Sequence, residues 1–193
     1  MRFKTIAFTS AATLVLAACG QKTATTDATD TTVITTDANA TAVDTNMTAT
    51  APSSGQGFAN AAAASDAFEI ATSKLALTMS KSTSIKKFAQ KMIDAHTDST
   101  AKLKGAAASA SPAITADPSL TSDQQQALDG MKAMMGAEFD KAYVEAQVAG
   151  HQKTLDALKA YSATGDVISL KSFATSLIPI VTAHLNMAKG LKP

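Results

Sequence analysis

The sequence predicts an all-α fold, a four-helix bundle with one long connection between the second and third helices. Apolar residues recur at helical spacing over residues 57–193, and no segment there shows the alternation typical of a strand. Short breaks near Lys81 and Gly165 divide this region into two pairs of helices. Short breaks join antiparallel neighbours in helical bundles, whereas a longer connection crosses the bundle.

The first pair of helices is predicted over residues 58–80 and 82–110. The first helix is rich in alanine, which favours helix, and Ser84 is the predicted N-cap of the second, because a serine hydroxyl accepts a hydrogen bond from the first turn. The buried face of the second helix is expected to combine apolar residues with one histidine: Ile85, Phe88, Ala89, Met92, His96 and Leu103.

A segment with two prolines, SPAITADPSLTSD, forms the predicted long connection. Proline lacks the backbone N–H that a helix interior needs, so the second helix ends before this segment. We expect the third helix to begin with Thr121 or Ser122 as its cap and to bend or break at Gly136. It then continues to about residue 163.

The last helix is predicted to begin with Asp166 as its cap, after Gly165 ends the third helix. It is expected to run to Lys189, with a kink at Pro179, and to stop at Gly190.

The chain begins with the features of a lipoprotein signal peptide. A positively charged start and an apolar run of about a dozen residues precede Cys19, the only cysteine. The run is too short to span a hydrocarbon core of about 30 Å as a helix. The stretch Leu16-Ala17-Ala18-Cys19 resembles the bacterial lipobox, which implies cleavage after residue 18 and acylation of Cys19, with palmitate-type chains as a membrane anchor. The alternative is an ordinary secretory signal with a chance cysteine.

The residue after the cysteine suggests which membrane holds the anchor. Aspartate there would resemble the retention signal of inner-membrane lipoproteins, but this chain has Gly20. We therefore expect an outer-membrane lipoprotein of the cell envelope that faces the periplasm.

The composition of residues 19–56 predicts a disordered linker between the lipidated cysteine and the helical domain. Threonine, alanine and aspartate dominate this segment, and neither helical nor strand periodicity persists along it. Such a composition buries too little apolar surface to offset chain entropy. The β-branched threonines leave a strand as the alternative, although they do not alternate cleanly with apolar residues.

The charge of residues 57–193 excludes a nucleic-acid-binding footprint. The whole chain carries +1, and this region carries about +2 once the signal and the acidic linker are set aside. Nucleic-acid-binding domains usually show a strongly basic face, and this chain also lacks tryptophan and has only two tyrosines. The expected partners are the membrane, through the lipid anchor, and other envelope proteins.

Several short motifs keep a recognisable order along the chain: Lys87-Phe88-Ala89, Met92-Ile93, His96-Thr97, Phe139-Asp140, Tyr143, His151, Phe173-Ala174 and His184. Together they resemble the bacterial "domain of unknown function 4142" family over about residues 58–189. The resemblance implies an exported protein with a ferritin-like bundle and implies little about activity. One position departs from the family, which usually has aspartate directly before the first histidine, where this chain has Ala95 and places Asp94 one step earlier.

The three histidines of the chain fall on the second, third and fourth predicted helices, and one glutamate, Glu69, falls on the first. Counted from the predicted turns, Glu69, His96, His151 and His184 lie at depths of roughly 18, 22, 21 and 28 Å. The first three are expected to share one layer of the bundle, and His184 to lie about one turn away.

Two hypotheses account for such a layer. Imidazole and carboxylate groups suit a mononuclear site for Zn, Fe, Ni, Mn or Cu. The same groups also form a hydrogen-bonded polar layer in which Glu69 pairs with a histidine. A di-iron centre is disfavoured, because no glutamate is followed by histidine at the third place.

Other candidates point to structural roles. Asp140 and Tyr143 lie three apart on one predicted helix face and are interpreted as structural polar residues, with a ligand contact as the alternative. The methionines are interpreted as core residues rather than a Cu(I) site. No arrangement typical of a hydrolase appears in the sequence. We therefore expect a non-enzymatic binding or structural module, with metal binding at the histidine layer as the alternative.

Overall fold

The computed structural model describes residues 54–193. The predicted signal peptide, Cys19 and the linker up to residue 53 lie outside these residues. The described part folds into helices with no strand, and the predicted all-α class is confirmed. The helices are α1 (Gly55–Met79), α2 (Thr83–Ala108), α3 (Ser122–Lys132), α4 (Gly136–Thr164) and α5 (Ile168–Lys189).

The four long helices form the predicted bundle with one long crossover. α1 packs on α2 and α4 on α5, and the two hairpins meet where α1 lies beside α4 and α2 beside α5. Phe58, near the start of α1, stacks on Tyr161, near the end of α4, with ring centroids 4.0 Å apart. α1 and α4 are therefore antiparallel, so the chain between α2 and α4 must cross the length of the bundle, as in ferritin-like folds.

Of the two outcomes expected at Gly136, a bend or a break, the structure shows a break. Gly136 has φ of 59°, a left-handed conformation that an L side chain rarely adopts, and it starts a new helix. The short α3 therefore belongs to the crossover and packs against α1 and α4. Thr121 caps α3 in a capping box with Gln124, which is one of the two caps we considered.

Three other helix boundaries differ from the prediction. α1 already begins at Gly55, so the end of the predicted linker is helical. Ser82, rather than Ser84, caps α2: its hydroxyl accepts a hydrogen bond from the backbone N–H of Ile85, and Ser84 already lies inside the helix. The Asp166 carboxylate accepts a hydrogen bond from the Tyr161 hydroxyl at 2.9 Å, so α5 begins after Val167 without a side-chain cap.

The last helix continues through Pro179 and ends at Gly190. Among the described residues, α5 alone has the length and mean hydropathy of a candidate membrane span. Many of its apolar side chains, including Phe173 and Leu177, pack into the core of the bundle. This burial accounts for the apolar character of the helix.

The core consists of two apolar clusters at different heights in the bundle. One surrounds the start of α1 and the end of α4, and the other surrounds the opposite ends of those helices. On α2, Met92 belongs to one cluster and Leu103 to the other, and His96 lies between them. His151 has the same intermediate position on α4. The polar candidates thus lie where the two clusters meet.

Candidate metal centre

A layer of buried polar side chains crosses the middle of the bundle, and all four long helices contribute to it. None of these residues is more than 6 % exposed. The members of this layer, called the histidine layer below, are Asp66 and Glu69 on α1, His96 on α2, Gln147 and His151 on α4, and His184 on α5.

The three histidines converge within the layer. One ring nitrogen of each lies within 4.8 Å of the corresponding nitrogens of the other two, and the ring centroids are 5.6–6.0 Å apart. His96 Nε2, His151 Nε2 and His184 Nδ1 are all buried without a hydrogen-bond partner among the described residues. A buried polar atom without a partner costs about 1–3 kcal/mol. A single cation bonded to all three rings would give each of these atoms a partner.

Hydrogen bonds on the opposite side of two rings fix their orientation. His96 Nδ1 lies 2.8 Å from Asp66 Oδ1, and the other oxygen of Asp66 accepts a bond from the Thr100 hydroxyl at 3.2 Å. His151 Nδ1 lies 2.8 Å from the backbone carbonyl oxygen of Gln147. A ring that donates from Nδ1 presents the lone pair of Nε2 to the layer, which is the usual arrangement of metal-bound histidines.

Glu69 lies beside the histidines rather than among their converging atoms. Its Oε1 is 3.7 Å from His151 Nδ1, and its Oε2 accepts a hydrogen bond from the Gln147 side chain. A Cβ at Gly150 would lie 2.8 Å from Glu69 Oε1, so glycine at this place lets α4 approach the carboxyl group closely. Of the four predicted ligands, the structure therefore brings three into direct convergence and places the fourth at their edge.

The environment of the layer shifts the pKa of its groups in different directions. Burial raises the pKa of Glu69 to about 7, although His96 and the bond from Gln147 oppose this shift. Burial and the neighbouring His96 lower the pKa of His151 to about 4. Burial, together with His151 and His96, lowers the pKa of His184 to about 4 as well. His151 and His184 are therefore neutral at pH 7, which is the form that binds metal.

His96 differs from the other two histidines. Burial disfavours its charged form, but the hydrogen bond that His96 donates to Asp66 and the charges of Glu69 and Asp66 outweigh burial and raise the pKa of His96. A cation that binds to His96 therefore competes with protons more strongly than at the other two histidines, and its affinity falls as the pH falls.

The donor set fits a first-row transition metal. Neutral imidazole nitrogens suit Zn, Cu, Fe and Ni, and bond to Zn at about 2.0–2.1 Å. Three histidines supply one ligand fewer than tetrahedral zinc requires. Sites of this kind keep a coordination position for water or another ligand.

The other predicted polar residues lie outside the histidine layer. The Tyr143 hydroxyl lies 2.8 Å from Ser73 Oγ on α1, and burial raises the pKa of Tyr143. Asp140 is buried, and its Oδ1 has no hydrogen-bond partner among the described residues. Asp94 is exposed and accepts a hydrogen bond from Gln90, so the acid beside the first histidine is Asp66 instead.

Sequence reasoning missed two members of the layer, Asp66 and Gln147. Asp66 lies three residues before Glu69, and Gln147 lies four residues before His151. Residues three or four apart share a helix face, so this spacing was the available signal.

Comparison with known proteins identifies a family and no characterised relative. The sequence model of one family, described as "Domain of unknown function (DUF4142)", matches residues 21–191. No curated protein and no solved structure matches the chain.

Proposed function

Because the chain belongs to the DUF4142 family, whose description assigns no activity, we propose a function from the geometry of the histidine layer. The protein binds one transition-metal ion through His96, His151 and His184. The observation that carries this proposal is the convergence of three buried histidines, each of which has one ring nitrogen without a hydrogen-bond partner among the described residues. A purely hydrogen-bonded layer, the role first expected for these residues, would supply partners for those nitrogens.

The chemistry of the donors also narrows the choice of metal. Nitrogen donors favour Zn, Cu, Ni and Fe, whereas Mn prefers carboxylate and water oxygens. We therefore expect the site to bind Mn more weakly than the other four metals considered in the sequence analysis. The Asp66 carboxyl group would orient His96 through their hydrogen bond, and Asp66 and Glu69 would both offset the charge of the ion from outside the converging nitrogens.

Metal analysis of the purified protein, prepared without a polyhistidine tag, tests the proposal. We expect about one equivalent of metal per chain after incubation with Zn²⁺. His96→Ala, His151→Ala and His184→Ala should each weaken zinc affinity at least about a hundredfold, since each removes one of three ligands. Gln152→Ala, an exposed change next to His151, is the matched control and should bind zinc like the wild type. Zinc affinity that is the same in the wild type and the histidine variants would contradict the proposal.

We further propose that this metal-binding domain faces the periplasm from the outer membrane, anchored by acylated Cys19. The support is the stretch LAACG together with the linker composition after it. The lipid would hold the protein at the membrane firmly, because each buried methylene contributes about 0.8 kcal/mol.

Replacement of Cys19 by serine is expected to abolish lipidation, because the acyl chain needs the thiol. Cells grown with labelled palmitate should label the wild-type protein and a Gln21→Ala control, but not the Cys19→Ser variant. The variant should also leave the membrane fraction. Continued membrane association of an unlabelled Cys19→Ser protein would contradict the anchor.

A further inference from the structure

A cavity of about 140 Å³ reaches the histidine layer from one side of the bundle. Its lining includes the exposed side chains of Asp98 and Lys102 as well as buried His96 and His184. The cavity therefore extends from the surface to two of the three proposed ligands. His151 does not line it.

The walls of the cavity are mostly apolar. Leu158 of α4 and several residues of α5 form much of the surface, including Phe173, Leu177 and Val181. Two wall hydroxyl groups, those of Ser65 and Thr154, are bonded to each other at 3.0 Å. A ligand in this space would meet apolar side chains along its body. It would meet the His96 and His184 rings at the inner end and Asp98 and Lys102 at the surface end.

Size and charge limit what the cavity can hold. An apolar cavity of about 150 Å³ in another protein accommodates benzene, so this space suits a molecule of about six non-hydrogen atoms. Two carboxyl groups, of Asp66 and Asp98, line the cavity, against one amine, of Lys102. The proposed dication would offset this negative balance, so the apolar walls decide the charge of the ligand. A charged group buried against them without a partner is costly, which favours a neutral molecule.

We infer that the cavity binds a small neutral molecule with an apolar body and one nitrogen donor, which bonds to the metal beside His96 and His184. The inference rests on the proposed metal site, because three histidines leave a coordination position for such a donor. Small nitrogen heterocycles have this chemistry, and imidazole is the simplest probe of the class.

Titration of the cobalt-loaded, full-length protein with imidazole tests the inference, because the visible absorption of Co²⁺ responds to a new ligand. We expect a saturable spectral change, with cobalt still bound after the free imidazole is removed.

A change in the cavity wall separates this site from the metal ligands. Ala62→Leu fills part of the cavity from α1 and should weaken imidazole binding at least about tenfold, while Co²⁺ affinity stays the same. Ala61→Leu, exposed on the same helix and outside the cavity, is the matched control. If circular dichroism shows that Ala62→Leu does not fold, Ala95→Leu fills the same cavity from α2.

The possible failures are distinguishable. A protein that holds Co²⁺ without any spectral response to imidazole would overturn the inference and leave the metal site intact. Removal of Co²⁺ by imidazole, or unchanged imidazole affinity in a folded cavity variant, would also overturn it. A protein that does not bind Co²⁺ at all would overturn both the proposed function and this inference.

Discussion

Zinc at about a thousandfold excess over its dissociation constant should raise the melting temperature of the wild-type protein by roughly 10 °C. A ligand that binds only the folded state at that excess stabilises it by about 4 kcal/mol. A domain of this size gains roughly 3 °C for each kcal/mol. His151→Ala should remove the shift, because it deletes one of the three converging nitrogens. Thermal unfolding followed by circular dichroism, with and without zinc, measures the difference.

Controls for this experiment follow from the position of His151. Gln152→Ala changes an exposed neighbour and should keep the full zinc shift. In metal-free buffer, His151→Ala should itself unfold at a lower temperature, because it leaves a cavity in a fully buried place. Since the chain has only three histidines, a zinc shift that persists in His151→Ala would place the ion outside the histidine layer.

Glu69→Gln is expected to change two properties in opposite directions. In metal-free protein at pH 8, it should increase the free energy of unfolding by up to about 3 kcal/mol. Burial raises the pKa of Glu69 from 4.5 to about 7 in the folded protein. The stability contributed by this group is therefore complete below pH 4.5 and is lost as the pH rises through 7. Glutamine stays neutral and avoids that loss.

The same substitution should weaken zinc affinity about 10- to 100-fold, because the ion loses a nearby negative charge. Denaturant unfolding in chelator at pH 5 and pH 8 measures the first effect, which should be much smaller at pH 5. Competition with a chromogenic chelator measures the second. Glu145→Gln, an exposed change on α4, should alter neither property. A loss of stability at pH 8 in Glu69→Gln would show that the carboxylate mainly serves as the hydrogen-bond partner of Gln147.

The depth of the histidine layer could be predicted from the sequence with one error. Counting from the turns placed Glu69, His96 and His151 at similar heights and His184 about one turn away. α5 begins only at Ile168, so the turn before it adds no helical rise. Counted from Ile168, His184 lies at roughly 24 Å, close to the depth of His151, which is counted from the same turn.

The partners of each histidine could not be predicted from the sequence. Asp66 and Glu69 share a helix face, and either carboxyl group could reach a histidine of a neighbouring helix. Distances between helices decide the outcome, with Asp66 bonded to His96 and Glu69 beside His151. These distances depend on the packing of both apolar clusters. The same holds for the distance between α4 and the Glu69 carboxyl group, which is short at Gly150.

The histidine layer draws on both helical hairpins. His96 belongs to the hairpin of α1 and α2, whereas His151 and His184 belong to that of α4 and α5. An ion held by all three would be a cross-link between two halves of the chain that are joined only by the crossover. Neither half could bind the ion as the whole protein does, so metal release and separation of the halves would be parts of one equilibrium. Loss of the metal would then also weaken the association of the two hairpins.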